Sequence, residues 1–318
     1  MSAFAENEGR KLKIMEYKTK KLFADDGFKN GFTVLATKHS GPTGYNRLGN
    51  ISFPISCAEP SWLIAQWHSK HCLFTERKES DPYTITDGIT KTVKYSPDDL
   101  SVSLRLNARN VYEGRASVAG EMWPHLLLEQ TPLFDNDGIS DEKRKFYGAD
   151  SDKILLTLDL KCPSFGDTTN AEGINACQFQ AFFYLRLKNP TGQTGKNFIW
   201  FGVNLFDLRR AFGTYWKADS TSREMIYTIS TEETYGGLEK SFNYPGHKMP
   251  DDEWHEIRLD LVPHIKRCIE LANRDNTFDR PVVPEDFYIN GTNIGFEIHG
   301  NFDVTFDIKN YNLTSYRK

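Results

Sequence analysis

Apolar and polar positions alternate most regularly between Gln178 and Arg210. The run Gln-Phe-Gln-Ala-Phe-Phe-Tyr-Leu-Arg-Leu-Lys is followed by a Gly/Asn/Pro-rich break, then by Phe-Ile-Trp-Phe-Gly-Val-Asn-Leu-Phe-Asp-Leu-Arg-Arg. A period of two is that of a β-strand, whose successive side chains point to opposite faces. The pattern predicts a hairpin with Phe179, Ala181, Phe183, Leu185 and Leu187 on the inner face of one strand. Ile199, Phe201, Val203 and Leu205 take the inner face of the other. The outer face then carries Gln180, Tyr184, Arg186 and Lys188, followed by Trp200, Gly202 and Asn204.

Shorter alternations predict further strands. They start at Phe32, Ile51, Trp62, Val102, Ile154, Met225, Ile257, Asn293 and Asp303, with a last short one through Leu313. Turn formers such as Gly41-Pro-Thr-Gly and Asp87-Gly88 separate them. The stretch 107–152 reads as long loops with one or two strands among them, and long loops on a rigid sheet are the usual home of binding groups. One helix is predicted over Pro263–Arg274. Proline suits a first helical turn, and Ile265, Cys268, Ile269 and Ala272 form a single apolar stripe. No strand–helix rhythm appears, so the expected fold is all-β. It is an antiparallel two-sheet β-sandwich of jelly-roll type with one short helix in the C-terminal half. A polar lead-in over residues 1–30 and a single domain over 31–318 complete the expectation.

Composition narrows the partners. The chain of 318 residues, 39% hydrophobic and 13% aromatic, can bury a large core and is not a disordered tail. A net charge of −4 offers no basic excess for a nucleic-acid backbone. No apolar run approaches the roughly 20 residues of a membrane span. Residues 1–21 show no apolar leader segment, which leaves the compartment open between cytoplasmic and secreted. Five cysteines without a Cys-x-x-Cys pair do not suggest a disulfide scaffold. The sequons at Asn50, Asn290 and Asn312 matter only in a secreted eukaryotic chain.

Two stretches carry a resemblance. Asp252-Glu-Trp-His-Glu-Ile-Arg-Leu-Asp-Leu and Phe302-Asp-Val-Thr-Phe-Asp-Ile-Lys-Asn-Tyr-Asn-Leu resemble the closing strands of jelly-roll (concanavalin A-like) carbohydrate-binding and carbohydrate-active proteins. Gln66-Trp67-His68 resembles the Gln-x-His strand motif of jelly-roll polysaccharide lyases. That likeness implies β-elimination on a uronic-acid polymer, with an amide, Arg or His neutralising the carboxylate and a His or Tyr removing the carbon-bound proton. Gln66, His68, Arg47 and Tyr45 are the candidates. Parity places Gln66 and His68 on one face. Where the family has Arg-x-Glu, this chain has Tyr45-Asn-Arg47-Leu-Gly.

The residues themselves favour a second site. Tyr184, Arg186, Trp200 and Asn204 combine rings with hydrogen-bonding groups on one hairpin face, the mixture that ligand sites use. Glu297 and His299 would join them if the last strands neighbour the hairpin. The alternative is that this face packs under a loop and Trp200 is core. Likewise, Gln66 and His68 could belong to a solvated strand or a satisfied core. Asp207, Arg209 and Arg210 would suit an acidic sugar or a structural ion pair. His68, His71 and Cys72 have metal-ligand chemistry but the wrong parity, so no metal site is expected. The loop Asp135–Asp141 could hold calcium, although it lacks the spacing of an EF-hand. The expected function is therefore binding of an oligo- or polysaccharide. A polysaccharide lyase or other glycan-active enzyme comes second, and a structural or interaction protein third.

Overall fold

The computed structural model describes residues 16–25, 27–38, 46–73, 76–77, 81–133, 140–169, 175–189, 196–209, 214–220, 222–245 and 248–318. Two sheets face each other. The first runs β15 (Asp251–Asp260), β10 (Lys153–Asp167), β17 (Phe302–Arg317), β8 (Ser101–Asn107), β7 (Lys91–Ser96), β6 (Thr84–Thr86), β5 (Glu76–Arg77). In it, β1 (Lys18–Lys21) pairs with the far half of β17. The second runs β13 (Tyr215–Ala218), β14 (Met225–Ile229), β12 (Phe198–Asp207), β11 (Ala176–Leu187), β16 (Phe287–His299), β9 (His125–Gln130), β4 (Trp62–Ala65), β2 (Phe32–Leu35), β3 (Arg47–Ile51). Pairing is antiparallel except for β12 with β14 and β2 with β4. This is the expected jelly-roll β-sandwich.

Alternation explains the layers. Leu156, Leu158 and Leu160 of β10 and Val304, Phe306 and Ile308 of β17 point inward from one sheet. Phe179, Ala181, Phe183, Phe296 and Ile298 meet them from the other, all in one continuous core. The rings of Phe179 and Phe306 stack across the layers at 4.7 Å. Each such buried Phe or Leu contributes about 1.5–3 kcal/mol over leaving it in water.

Four α-helices are described: α1 (Ala108–Val111), α2 (Asp141–Lys145), α3 (Thr231–Tyr235) and α4 (Val262–Arg274). Only α4 is long. It buries the predicted stripe Ile265, Cys268, Ile269 and Ala272, with proline in its first turn.

Two expectations shift. The sandwich starts before residue 31, because β1 is part of a sheet and Leu22, Phe23 and Phe28 are buried. The last two predicted strands are one strand, β17. Its register against β10 slips near Asn310, which has a positive φ of 54°, and its other neighbour changes from β8 to β1.

A buried ion pair fastens the two sheets' connections. Lys91 Nζ lies 3.0 Å from Asp87, with neither side chain more than 1% exposed. The same ammonium donates to Ser69 Oγ at 2.6 Å, His71 O at 2.8 Å and Thr90 Oγ1 at 3.0 Å. Burial pulls the Lys91 pKa down. On Asp87, burial acts to raise the carboxyl, but Thr90, Lys91 and backbone N–H groups outweigh it and hold it well below the usual range.

Candidate functional site

Strand register arranges the outer face of the second sheet in rows. One row reads Lys217, Ile226, Trp200, Tyr184. The next reads Tyr215, Thr228, Gly202, Phe182, Asn293, Glu129, Leu63. Beyond it come Asn204, Gln180, Gly295, Leu127 and Ala65, then Asp207, Gln178, Glu297 and His125. On the other side of Trp200 lie Phe198, Arg186 and Tyr288.

The rings gather at one end of this band. Tyr184 is 4.6 Å from Trp200 and 5.9 Å from Phe198, and Phe198 is 5.1 Å from Trp200. All three are half-buried, with Phe182 edge-on to Trp200 at 6.1 Å. Two glycines let the rings lie close to the backbone. A Cβ on Gly202 would come within 2.5 Å of the Phe182 ring, and one on Gly291 would strike the Tyr184 ring.

Polar groups sit beside the rings. Tyr184 donates its hydroxyl to Glu129 Oε1 at 2.9 Å, and Glu129 is 2% exposed. Gln180, Asn204 and Asn293 are buried in neighbouring positions. Trp200 Nε1 donates to Ser222 Oγ at 3.3 Å. Glu224 is 8% exposed, and its Oε2 has no hydrogen-bond partner. Burial pushes the Glu224 carboxyl up, only partly countered by the Asn197 N–H and the charges of Lys196 and Arg186.

Tyr184, Arg186, Trp200 and Asn204 therefore share one face. Glu297 shares it too, because β16 lies next to β11. It is six residues along from Tyr184 in register, about 20 Å at the usual strand rise, so it occupies the band's opposite end. There its side chain keeps 31% exposure, 3.5 Å from His125 Nε2. Desolvation acts to raise the Glu297 carboxyl, but the facing His125 imidazole outweighs it, and the net shift is downward. The exposed His68 packs its ring 5.3 Å from that of His125. Glu129 and Glu297 are four register positions apart, about 13 Å at the backbone.

Three predicted residues go elsewhere. His299 is fully buried, with Nδ1 2.8 Å from Ser117 Oγ and rings of Tyr112 and Trp123 at 5.6 and 5.4 Å. Its parity matches Glu297, but the chain after α1 covers it. Gln66 is also fully buried and braces the backbone, donating to Leu35 O at 2.8 Å and accepting from Leu73 N at 3.0 Å. It does not share a face with His68, because β4 ends at Ala65 and His68 turns outward with a positive φ of 60°. Arg47 is exposed on the edge strand β3, six strands from Trp200 and thus about 29 Å across the sheet. Gln66 and His68 therefore do not present one face, Arg47 stands two strands from β4 at the sheet edge, and Tyr45 lies outside the described residues.

Residues 135–139 of the calcium-like loop also lie outside them, as does Arg210. Ser140 caps α2. Arg209 pairs with Asp207 at 3.2 Å and lies over the Trp123 ring at 5.0 Å. Among the described residues no three acidic, His or Cys side chains converge as metal ligands. The alternation pattern missed Phe182, Phe198, His125 and Glu129. A signal for Glu129 was present: it is the lone carboxylate in His-Leu-Leu-Leu-Glu-Gln.

The chain is thus a jelly-roll β-sandwich with a ring-and-polar band on one outer face. No protein-family model matches the sequence, and no curated protein matches it. Among solved structures it is similar to a family 12 xyloglucanase from Bacillus licheniformis, at 10% identity and a TM-score of 0.40, over 79% of this chain and 99% of that one. It is also similar to a cellulase derived from Cel12A of Rhodothermus marinus (7% identity, TM-score 0.39, 81% and 92% covered). A third is the xyloglucanase domain of NopAA, an effector from Sinorhizobium fredii, in complex with cellobiose (8% identity, TM-score 0.37, 77% and 92% covered).

Proposed function

We propose that the protein binds an oligo- or polysaccharide across the outer face of the second sheet. The observation that carries this reading is the half-buried cluster of Tyr184, Phe198 and Trp200, with buried Glu129 bonded to the Tyr184 hydroxyl and buried Asn293, Gln180 and Asn204 farther along the same face. A sugar ring has C–H faces that aromatic rings cover and hydroxyls that need donors and acceptors at its rim. Apolar walls with a few placed polar groups meet both needs. The row from Tyr215 to Leu63 crosses seven strands, about 29 Å, wide enough for a chain of sugars. Binding titrations against a broad glycan panel test the reading. Trp200→Ala should weaken binding by about 30-fold, the scale of an aromatic hot spot. Absence of binding to every neutral and acidic glycan, or an unaffected Trp200→Ala variant, would sink it.

A second reading adds chemistry at the band's other end. Glu297, His125 and His68 place a carboxylate and two imidazoles together, the groups that move protons in β-elimination on a uronic-acid polymer. The products of that reaction absorb in the near ultraviolet. Polygalacturonate and alginate should yield such product, and His68→Ala or His125→Ala should abolish it. No absorbance from either polymer removes this reading and leaves the binding one intact.

A further inference from the structure

We infer that the saccharide recognised by this face is anionic, a chain bearing carboxylate or sulfate groups, and that Arg186 and Lys217 receive its charge. The inference rests on the carbohydrate reading above and adds the class of sugar. Arg186 is exposed on β11, directly beside Phe198 in register and two positions from Tyr184. Lys217 is exposed on β13, in the same row as Trp200. Three strand spacings, about 14 Å, separate their strands, so the ring cluster lies between two cations. The side chain of neither makes a hydrogen bond or ion pair with a described residue, and the Arg186 charge reaches only the buried Glu224 carboxyl from a distance.

Several other strand-borne or loop cations find an acid: Arg105 with Asp303, Arg258 with Asp159, Lys161 with Asp252 and Arg280 with Asp286. In a chain with 43 acids against 39 bases, an acid is seldom scarce. Around the rings the nearby acids are engaged: Glu129 holds the Tyr184 hydroxyl, Asp219 accepts from the Ser222 N–H at 2.7 Å, and Glu224 is buried with its carboxyl pushed up. Two exposed cations therefore flank the rings, beside the buried acceptors Glu129 and Glu224. A sugar stacked on the Trp200 ring carries its acid group at the ring edge, where a guanidinium can grip two oxygens at once.

The test compares polygalacturonate and alginate, dextran sulfate, and neutral dextran and β-glucan at low and high salt. Acidic chains should bind at least about tenfold more tightly than neutral ones, and salt should weaken only the former. Arg186→Gln and Lys217→Gln should each lower acidic affinity by about 10-fold, the loss of one charged hydrogen bond, and spare neutral binding. Arg186→Lys should fall between. A stronger carboxylate arm identifies a uronic acid; a stronger sulfate arm identifies a sulfated sugar. Arg105→Gln, on the opposite sheet, should change nothing. An equal loss there would mean diffuse attraction and overturn the assignment. Neutral binding without acidic preference, still lost in Trp200→Ala, overturns the charge assignment alone. No binding to any glycan overturns the carbohydrate reading itself.

Discussion

The two outer faces of the sandwich are built from the same alternation and end in opposite states. On the first sheet the charges answer one another. Arg105 grips Asp303 with two bonds of 2.9 and 2.6 Å, Lys161 reaches Asp252 and Asp307, and Lys161 and Lys309 lie over the Trp254 ring at 5.2 and 4.1 Å. Even its hollow of about 330 Å³ is lined by Lys161, Trp254 and Asp307, which already contact each other. On the second sheet the rings pack on rings, and among the described residues Arg186 and Lys217 form no ion pair. A face that neutralises itself is finished by water, whereas one that leaves rings and cations uncommitted has capacity for a ligand. Both faces are amphipathic in sequence; only pairing across strands separates them.

The largest effect expected lies behind the paired face. Lys91→Met leaves Asp87 charged and buried, and should cost about 3–5 kcal/mol in denaturant unfolding. Glycan affinity measured in the cold should survive it, so a parallel loss would tie the two faces together. Next come the two half-buried tryptophans, one on each outer face. Trp200→Ala should cut binding by about 30-fold, while Trp254→Ala, already capped by two lysines, should leave it unchanged. Equal losses would erase the contrast. Gly202→Ala should cost about 1–3 kcal/mol by lifting the Phe182 ring, and weaken binding with it.

The smallest effects are in pH dependence, and their signs differ between faces. Burial raises the Asp307 carboxyl, so its ionised form opposes folding. Asp307→Asn should be more stable than wild type at neutral pH, the gain vanishing as pH falls through the raised folded value toward the ordinary one. The Glu297 carboxyl is lowered despite desolvation, so its charge supports folding. Glu297→Gln should be less stable at neutral pH, the difference closing as pH falls through the depressed folded value. Thermal unfolding from pH 7 to pH 3 reads both, and curves of the same sign would contradict the contrast.

Local pattern disclosed the layers but not the neighbours. Alternation in β11 and β12 revealed the side of Tyr184 and Trp200, and β14 and α4 lie where their spacing put them. Glu129 was hidden because its place beside Tyr184 depends on β9 lying next to β16, a pairing between residues far apart in sequence. Gln66 and His68 misled because alternation stops being informative where a strand ends in a positive φ. His299 obeyed its parity and was buried anyway, since no strand period reports what a loop lays over it. The charged β1 read as lead-in because its Lys-Thr-Lys-Lys run has no apolar side; its order comes from the edge of β17.

Gly202 and Gly291 carry a consequence for kinship. Bare backbone beneath a ring is a feature that drift can abolish in one step without disturbing the sandwich. Among proteins sharing this architecture, those that keep hydrogen alone at both places should retain the ring cluster and its partner, whatever their overall similarity. Those with a bulkier residue at either place should have kept the scaffold and surrendered the task.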